Sequence, residues 1–197
     1  MLTAELNHVT SVEEFYSEIR SQQQAHHGED YCAMHDAIRH YMKDCESYKE
    51  IGTHQGGSAA AVMTGAYKPK YMELIDINQE KYRWKLQSLA EPYCNTHGIE
   101  LVVTEANSAA LSSLSYRRVD MLVIDSLHKR FHMEKELRLH AGYVNKYIVA
   151  HDTTIAQDKP LDALFRCLSD FCDRNPRWEI IERGESNVGY TVLKCGV

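Results

Sequence analysis

The chain has 197 residues, 44% of them hydrophobic and 25% charged, which is one ordinary globular domain rather than a disordered or fibrous chain. Its formal net charge of -6, with 22 Lys+Arg against 28 Asp+Glu and no basic cluster longer than His128-Lys129-Arg130, argues against nucleic acid as the main partner. No apolar run approaches the roughly 20 residues of a membrane span. The N-terminus (MLTAELNHVTSVEEF) lacks the basic-then-apolar order of a secretory signal, and the cysteines at 32, 45, 94, 167, 172 and 195 form no CxxC pair. A cytoplasmic location with reduced thiols is expected.

Residues 11–23 open with Ser11 and Glu14 at capping-box spacing and place Val12, Phe15 and Ile19 on one helical face. The pattern resumes over 29–45, and the polar QQQAHHGED between the two reads as a loop or lid. Residues 1–46 are therefore expected to form a helical N-terminal extension to a domain spanning 47–197. From residue 47 the period changes. SYKEIG, YMELIDIN (71–78), IELVVTEAN (99–107), VDMLVIDSL (119–127) and KYIVAHDT (146–153) are short apolar runs of the kind that form buried strands. Helical stretches separate them: SAAAVMTGAY, QEKYRWKLQSLAEPYCNTHG, ALSSLSY and HKRFHMEKELRLHAGYVN. Alternation at this spacing predicts right-handed βαβ units and a doubly wound, mostly parallel sheet. A helix near Pro160 follows, then WEIIERGE (178–185) and VGYTVLKCG (188–196), joined by a turn at Ser186-Asn187 and expected to pair antiparallel.

Ligands of such sheets bind beyond the carboxyl ends of the strands. The first strand end reads Glu50-Ile51-Gly52-Thr53-His54-Gln55-Gly56-Gly57-Ser58 and runs straight into an alanine-rich helix start. Glycines there permit positive φ and close approach of a ligand to the backbone. Twenty residues after Gly56 stands Asp76, placed to accept hydrogen bonds from ribose hydroxyls. A nicotinamide cofactor and S-adenosylmethionine both satisfy this much. Charge separates them: no Lys or Arg lies between Ile51 and Tyr67, and a pyrophosphate would sit beside Glu50. The ammonium and sulfonium of S-adenosylmethionine suit the acidic strand ends Glu50, Asp76 and Asp125. The G-x-x-x-G-G spacing also departs from G-x-G-x-x-G.

The segments EIGTHQGGSAA (50–60), LIDIN (74–78), EANS (105–108), VDMLVIDSLH (119–128) and YIVAHDT (147–153) resemble the class I S-adenosylmethionine-dependent methyltransferases. Within that class the chain most resembles the small O-methyltransferases related to cephalosporin hydroxylase-like and macrolide-sugar methyltransferases. The resemblance runs from about residue 47 to the C-terminus. It implies seven strands in the order 3-2-1-4-5-7-6 with the last antiparallel. It also implies that Gly52 and its loop, with Thr53, Gly56 and Ser58, hold the methionine part of the donor. Asp76 and Ile77 would hold the ribose side, and Asn107-Ser108 the adenine edge.

Asp125 with His128, and His151 with Asp152, fall at the tips of strands four and five. If those strands are neighbours, the two carboxylates lie about 5 Å apart and repel by about 3 kcal/mol at an effective dielectric of 20. A shared proton, the donor's positive charge or a divalent cation must offset that. The resemblance implies magnesium at these tips, with Asp125, His151 and Asp152 as candidate ligands and His128 as general base. His151 stands where the metal-dependent relatives carry an acid, and hard cations prefer oxygen. His128 and His132, four apart, have a zinc-like spacing but no third ligand at a motif distance, and read as surface histidines. Methyl transfer to a small-molecule or sugar hydroxyl is the expected activity, with no membrane partner; a non-catalytic domain binding S-adenosylmethionine or another adenosine ligand is the alternative. A homo-oligomer stays open.

Overall fold

A computed structural model describes residues 8–110, 116–154 and 163–196. The expected helix ALSSLSY lies almost wholly outside these, as does the Pro160 start of the later helix. The elements in order are α1 (Val12–His27), α2 (Ala33–Tyr41), β1 (Ser47–Ile51), α3 (Gly57–Met63), β2 (Tyr71–Asp76), α4 (Glu80–Tyr82), α5 (Ser88–His97), β3 (Glu100–Glu105), β4 (Val119–Ile124), α6 (Arg130–His140), β5 (Val144–His151), α7 (Ala163–Arg174), β6 (Trp178–Gly184) and β7 (Tyr190–Cys195).

The strands form one sheet in the order β3-β2-β1-β4-β5-β7-β6. β1 to β5 are parallel, and β7 runs antiparallel to both β5 and β6. This matches the expected topology. Alternation along the strands sends side chains to two cores. Tyr48, Met72, Leu74, Met121 and Val123 pack under α1, α2, α3 and α5, whereas Ile51, Leu122, Ile124 and Ile148 pack under α6 and α7. Between β1 and β2 the register partners Lys49 and Glu73 form a buried ion pair at 2.7 Å.

The N-terminal helices differ from expectation. Ser11 caps α1 by accepting the Glu14 N–H, while Glu14 accepts from the Thr10 N–H. The helix then continues through Gln22-Gln23-Gln24-Ala25-His26-His27, the stretch expected as loop, and stops at Gly28 with φ 97°. Glutamine and alanine are adequate helix formers, so lost amphipathicity did not end the helix; glycine did. Val12, Phe15, Tyr16 and Ile19 of α1 are buried in the same core as α3, and Arg20 clamps Asp36 of α2 through two hydrogen bonds of 2.7 Å. The following helical segment begins with a 3-10 turn at Glu29–Cys32, and another at Met42–Asp44 closes it. The long helix expected over 79–98 is interrupted by a π turn at Arg83–Gln87.

Gly52 has φ 91°, and a Cβ there would lie 2.0 Å from the Asp125 carbonyl oxygen. The turn out of β1 is thus pressed directly onto the end of β4, with Asp125 N–H donating to the Ile51 carbonyl at 2.8 Å. The glycine is required by this protein–protein contact as much as by any ligand. Gly52→Ala is expected to destabilise the fold by about 3 kcal/mol or more, combining a strained φ with a backbone clash, as read from urea unfolding midpoints.

Candidate functional site

A cleft of about 1080 Å³ lies over the carboxyl ends of β1, β2, β4 and β5 and is roofed by α1 and the segment leading into α2. Of the residues expected to bind a cofactor or carry chemistry, Glu50, Gly52, Thr53, Ser58, Asp76, Ile77, Asn107, Ser108, Asp125, His128, His151 and Asp152 all line it. Gly56 does not. It caps α3 with φ 88°, and a Cβ there would meet Leu86 Cδ2 at 2.6 Å, so its glycine serves packing against the π turn.

The β1 end is acidic and dry. Glu50 is 1% exposed, accepts the Tyr48 hydroxyl at 2.9 Å and is hydrogen-bonded by Ser58. Burial pushes its pKa up to about 8 against the lowering effect of those hydrogen bonds, and nearby Asp125 and Asp76 push it further up. No cationic side chain pairs with it among the described residues. Thr53 is buried, with its hydroxyl 3.4 Å from the Ile75 carbonyl. Asp76 accepts the His54 N–H at 2.8 Å and the Asn78 N–H at 3.0 Å, which orients the carboxylate at the tip of β2. Asn107 braces its own turn by accepting the Ala109 N–H.

The second cluster joins β4 and β5. His128 Nδ1 lies 2.6 Å from Asp152 Oδ2, and its Nε2 lies 3.4 Å from Asp125 Oδ1, so one ring spans both carboxylates. His151 Nδ1 reaches Asp125 Oδ1 at 3.1 Å. Hydrogen bonds that His128 donates to Asp125 and Asp152 raise its pKa to about 10, which makes the ring an imidazolium at neutral pH in this arrangement. Burial alone would raise the Asp125 pKa, but His151 and His128 outweigh it and hold the group well below the usual range. His128 is not at the start of a helix as expected: it precedes α6, whose cap is Lys129. Asp152 has φ 57° and His54 φ 49°, two non-glycine residues in the left-handed region at strand ends facing the cleft.

For a metal, the grouping also differs from expectation. Donor atoms of Asp125, His128 and Asp152 lie within 4.8 Å of one another, and His151 is outside that group. Two carboxylates are a usual protein share of a magnesium site, and the imidazole beside them is the donor a hard cation favours least. The His128 ring already bridges and neutralises the carboxylates that an ion would hold. Asp125 and Asp152 would hold a divalent cation only if His128 gave up its bridge between them.

Several lining residues lie outside the expected set of site residues. His26 and His27, expected in a solvated loop, sit on α1 at the cleft wall, where His27 stacks on Tyr31 at 4.2 Å. His35 of α2 is buried beneath Ser58, its Nε2 3.4 Å from the hydroxyl. Lys81 enters the cleft with its Nζ 2.6 Å from His54 Nε2, a positive group that the basic-free stretch up to Tyr67 did not foretell. Leu127 and Ile77 expose large apolar surfaces there, 48% and 72%. The histidines at 128 and 132 diverge: His128 turns to the aspartates, whereas His132 bonds Glu136.

Neither a protein-family model nor a curated protein matches this sequence. Solved structures do. A ribosomal protein L11 methylase from Lactobacillus delbrueckii subsp. bulgaricus aligns over 86% of this chain and 80% of its own at 13% identity and a TM-score of 0.59. A Podospora anserina methyltransferase with bound S-adenosylhomocysteine aligns over 94% and 88% at 13% identity and 0.59. The O-methyltransferase TomG from Streptomyces achromogenes, in complex with S-adenosylmethionine, aligns over 98% and 94% at 14% identity and 0.57. The chain has the class I methyltransferase fold. In this methyltransferase fold the glycine turn after β1 and the acid at the end of β2 line one continuous cleft, as read above. No helix among the described residues is long and apolar enough to cross a membrane.

Glu50 gives the site a pH signature. Its pKa is raised in the folded chain, so its contribution to stability is complete below the unfolded value near 4.5 and is lost as pH rises through about 8. The melting temperature of the ligand-free protein is expected to fall between pH 6 and pH 9 relative to Glu50→Gln, measured by calorimetry on both proteins.

Proposed function

We propose that this protein is an S-adenosylmethionine-dependent methyltransferase that transfers the methyl group to a hydroxyl of a small molecule or sugar. Glu50 is the observation that carries the reading: a buried acid on the cleft wall, beside the glycine turn, with no cation to pair with among the described residues. A donor bearing an ammonium and a sulfonium supplies that charge, and a pyrophosphate would oppose it. The fold shared with methyltransferases that bind S-adenosylmethionine or S-adenosylhomocysteine supports the same donor.

In this reading Asp76 accepts from the ribose hydroxyls, the Gly52–Ser58 turn holds the methionine part, and Asn107-Ser108 edges the adenine, with Ile77 and Leu127 offering apolar surface to the ring. The acceptor enters under α1, where His27, Tyr31 and His151 form an aromatic wall. Methyl transfer is an in-line displacement, so holding the hydroxyl oxygen against the sulfonium methyl supplies most of the acceleration.

His128 is the proposed base, and the geometry says what must change first. As an imidazolium bound by both carboxylates it has no free nitrogen. Its contact to Asp125 is the longer, at 3.4 Å, so the acceptor hydroxyl replaces Asp125 at Nε2 while Asp152 keeps Nδ1–H. As the cationic donor binds, the Nε2 proton leaves through Asp125 to solvent, and the neutral ring then turns its Nε2 lone pair to the hydroxyl. The oxygen attacks the methyl carbon, the carbon–sulfur bond breaks toward sulfur, and the hydroxyl proton passes to Nε2. No step needs a metal.

S-adenosylhomocysteine at 100 times its dissociation constant is expected to stabilise the protein by about 2.7 kcal/mol, a rise of about 5–10 °C in melting temperature, with NAD giving none. The reverse pattern would sink the assignment. His128→Ala is expected to cost about 10²–10⁴-fold in turnover with little change in S-adenosylhomocysteine affinity, measured by methyl transfer and calorimetry on one preparation.

A further inference from the structure

Glu136 is completely buried on α6, yet three polar groups converge on it. Ser108 Oγ donates to Glu136 Oε1 at 2.5 Å. Ser126 Oγ reaches Oε1 and Oε2 at 2.7 and 2.9 Å. His132 Nε2 lies 3.1 Å from Oε1. Ser108 is gripped a second time by α6, since His140 Nε2 donates to its carbonyl at 2.9 Å. One carboxylate therefore ties the loop after β3 to the tip of β4 and also orients a histidine, and nothing in the proposed methyl transfer uses it.

His132 is on the cleft wall together with Asn107, Ser108, Ser126 and Leu127. Its ring uses Nε2 on Glu136, and its Nδ1 has no hydrogen-bond partner among the described residues. With two hydroxyls already donating to it, Glu136 acts as an acceptor, so the neutral ring carries its proton on Nε2. Nδ1 is then a lone pair, a hydrogen-bond acceptor at the edge of the cleft beside the Asn107-Ser108 loop.

We propose that His132 is a specificity-determining residue that accepts a hydrogen bond from the exocyclic 6-amino group of the donor's adenine, and that Glu136 is the positioning residue that fixes its tautomer. The inference rests on reading the cleft as an adenosyl-donor site. It makes the pocket select a 6-amino purine over a 6-oxo purine, because a carbonyl oxygen would face a lone pair rather than supply a donor.

The test compares binding of S-adenosylhomocysteine and S-inosylhomocysteine, which differ at that one purine position, to the full chain by calorimetry. The wild-type protein is expected to prefer the adenosyl ligand by about tenfold or more. His132→Ala is expected to bring the two affinities together, chiefly by weakening the adenosyl ligand. Glu136→Gln separates positioning from mere support: its amide can donate to Nε2, which moves the ring proton to Nδ1, so the preference should shrink or invert toward the inosyl ligand. A His132→Ala protein that keeps the wild-type ratio overturns the inference, whatever Glu136→Gln does to folding. Binding of S-adenosylhomocysteine with no discrimination in the wild type also overturns it and leaves the donor assignment standing. Failure of both ligands to bind removes the donor assignment and this inference together.

Discussion

Crowding of negative charge at neighbouring strand tips governs this site. β1, β4 and β5 are adjacent in the sheet, and each brings a carboxylate to the same end: Glu50, Asp125 and Asp152. At about 5 Å and an effective dielectric of 20, two charges on neighbouring strands would repel by about 3 kcal/mol. The chain resolves this in two different ways. Among the described residues Glu50 has only hydroxyl partners and its pKa is pushed up to about 8, whereas His151 and His128 hold Asp125 well below the usual carboxylate range and His128 also bonds Asp152. One end of the cleft thus leaves Glu50 without a cationic partner among the described residues, Lys81 lying on His54 instead, while the other end is already balanced. A cationic donor belongs at the first, and proton transfer at the second.

Backbone geometry sustains that division. Gly52 lets the β1 turn lie against the Asp125 carbonyl, which sets the distance between the two ends. His54 and Asp152 hold left-handed conformations that cost about 1–2 kcal/mol each for a residue with a Cβ. His54 is repaid in part by its N–H bond to Asp76, and the turn at Asp152 brings its carboxylate back onto His128.

Much of this could be read in advance. Short continuous apolar runs separated by helical segments predict a parallel sheet because strands buried on both faces and covering helices impose different patterns. The strand order itself came from likeness to a known class, since periodicity carries no information on which strands are neighbours. The meeting of Asp125, His128 and Asp152 was visible because all three sit within a few residues of strand ends. What stayed hidden depends on helix faces and their rotation. The α1 extension through Gln22–His27 has helix formers but no apolar stripe, so amphipathic reading ended it early. His35, Lys81 and Glu136 approach the site from helices, and their sequence neighbourhoods resemble ordinary helix surface. Magnesium came in only as an implication of likeness, and the group that converges there has His128 in place of the expected His151.

The Lys49–Glu73 pair has a consequence for how the sheet can assemble. The two residues are directly opposite in β1 and β2, with side chains 3% and 0% exposed. Sliding β1 by a single position would turn Lys49 toward the opposite face and strand an unpaired carboxylate in an apolar layer, at a cost of about 3–5 kcal/mol. Apolar strands of similar composition can otherwise slip past one another with little penalty. The pair therefore acts as a vernier for the two strands, setting the height of the acid that closes β2 against the turn that leaves β1.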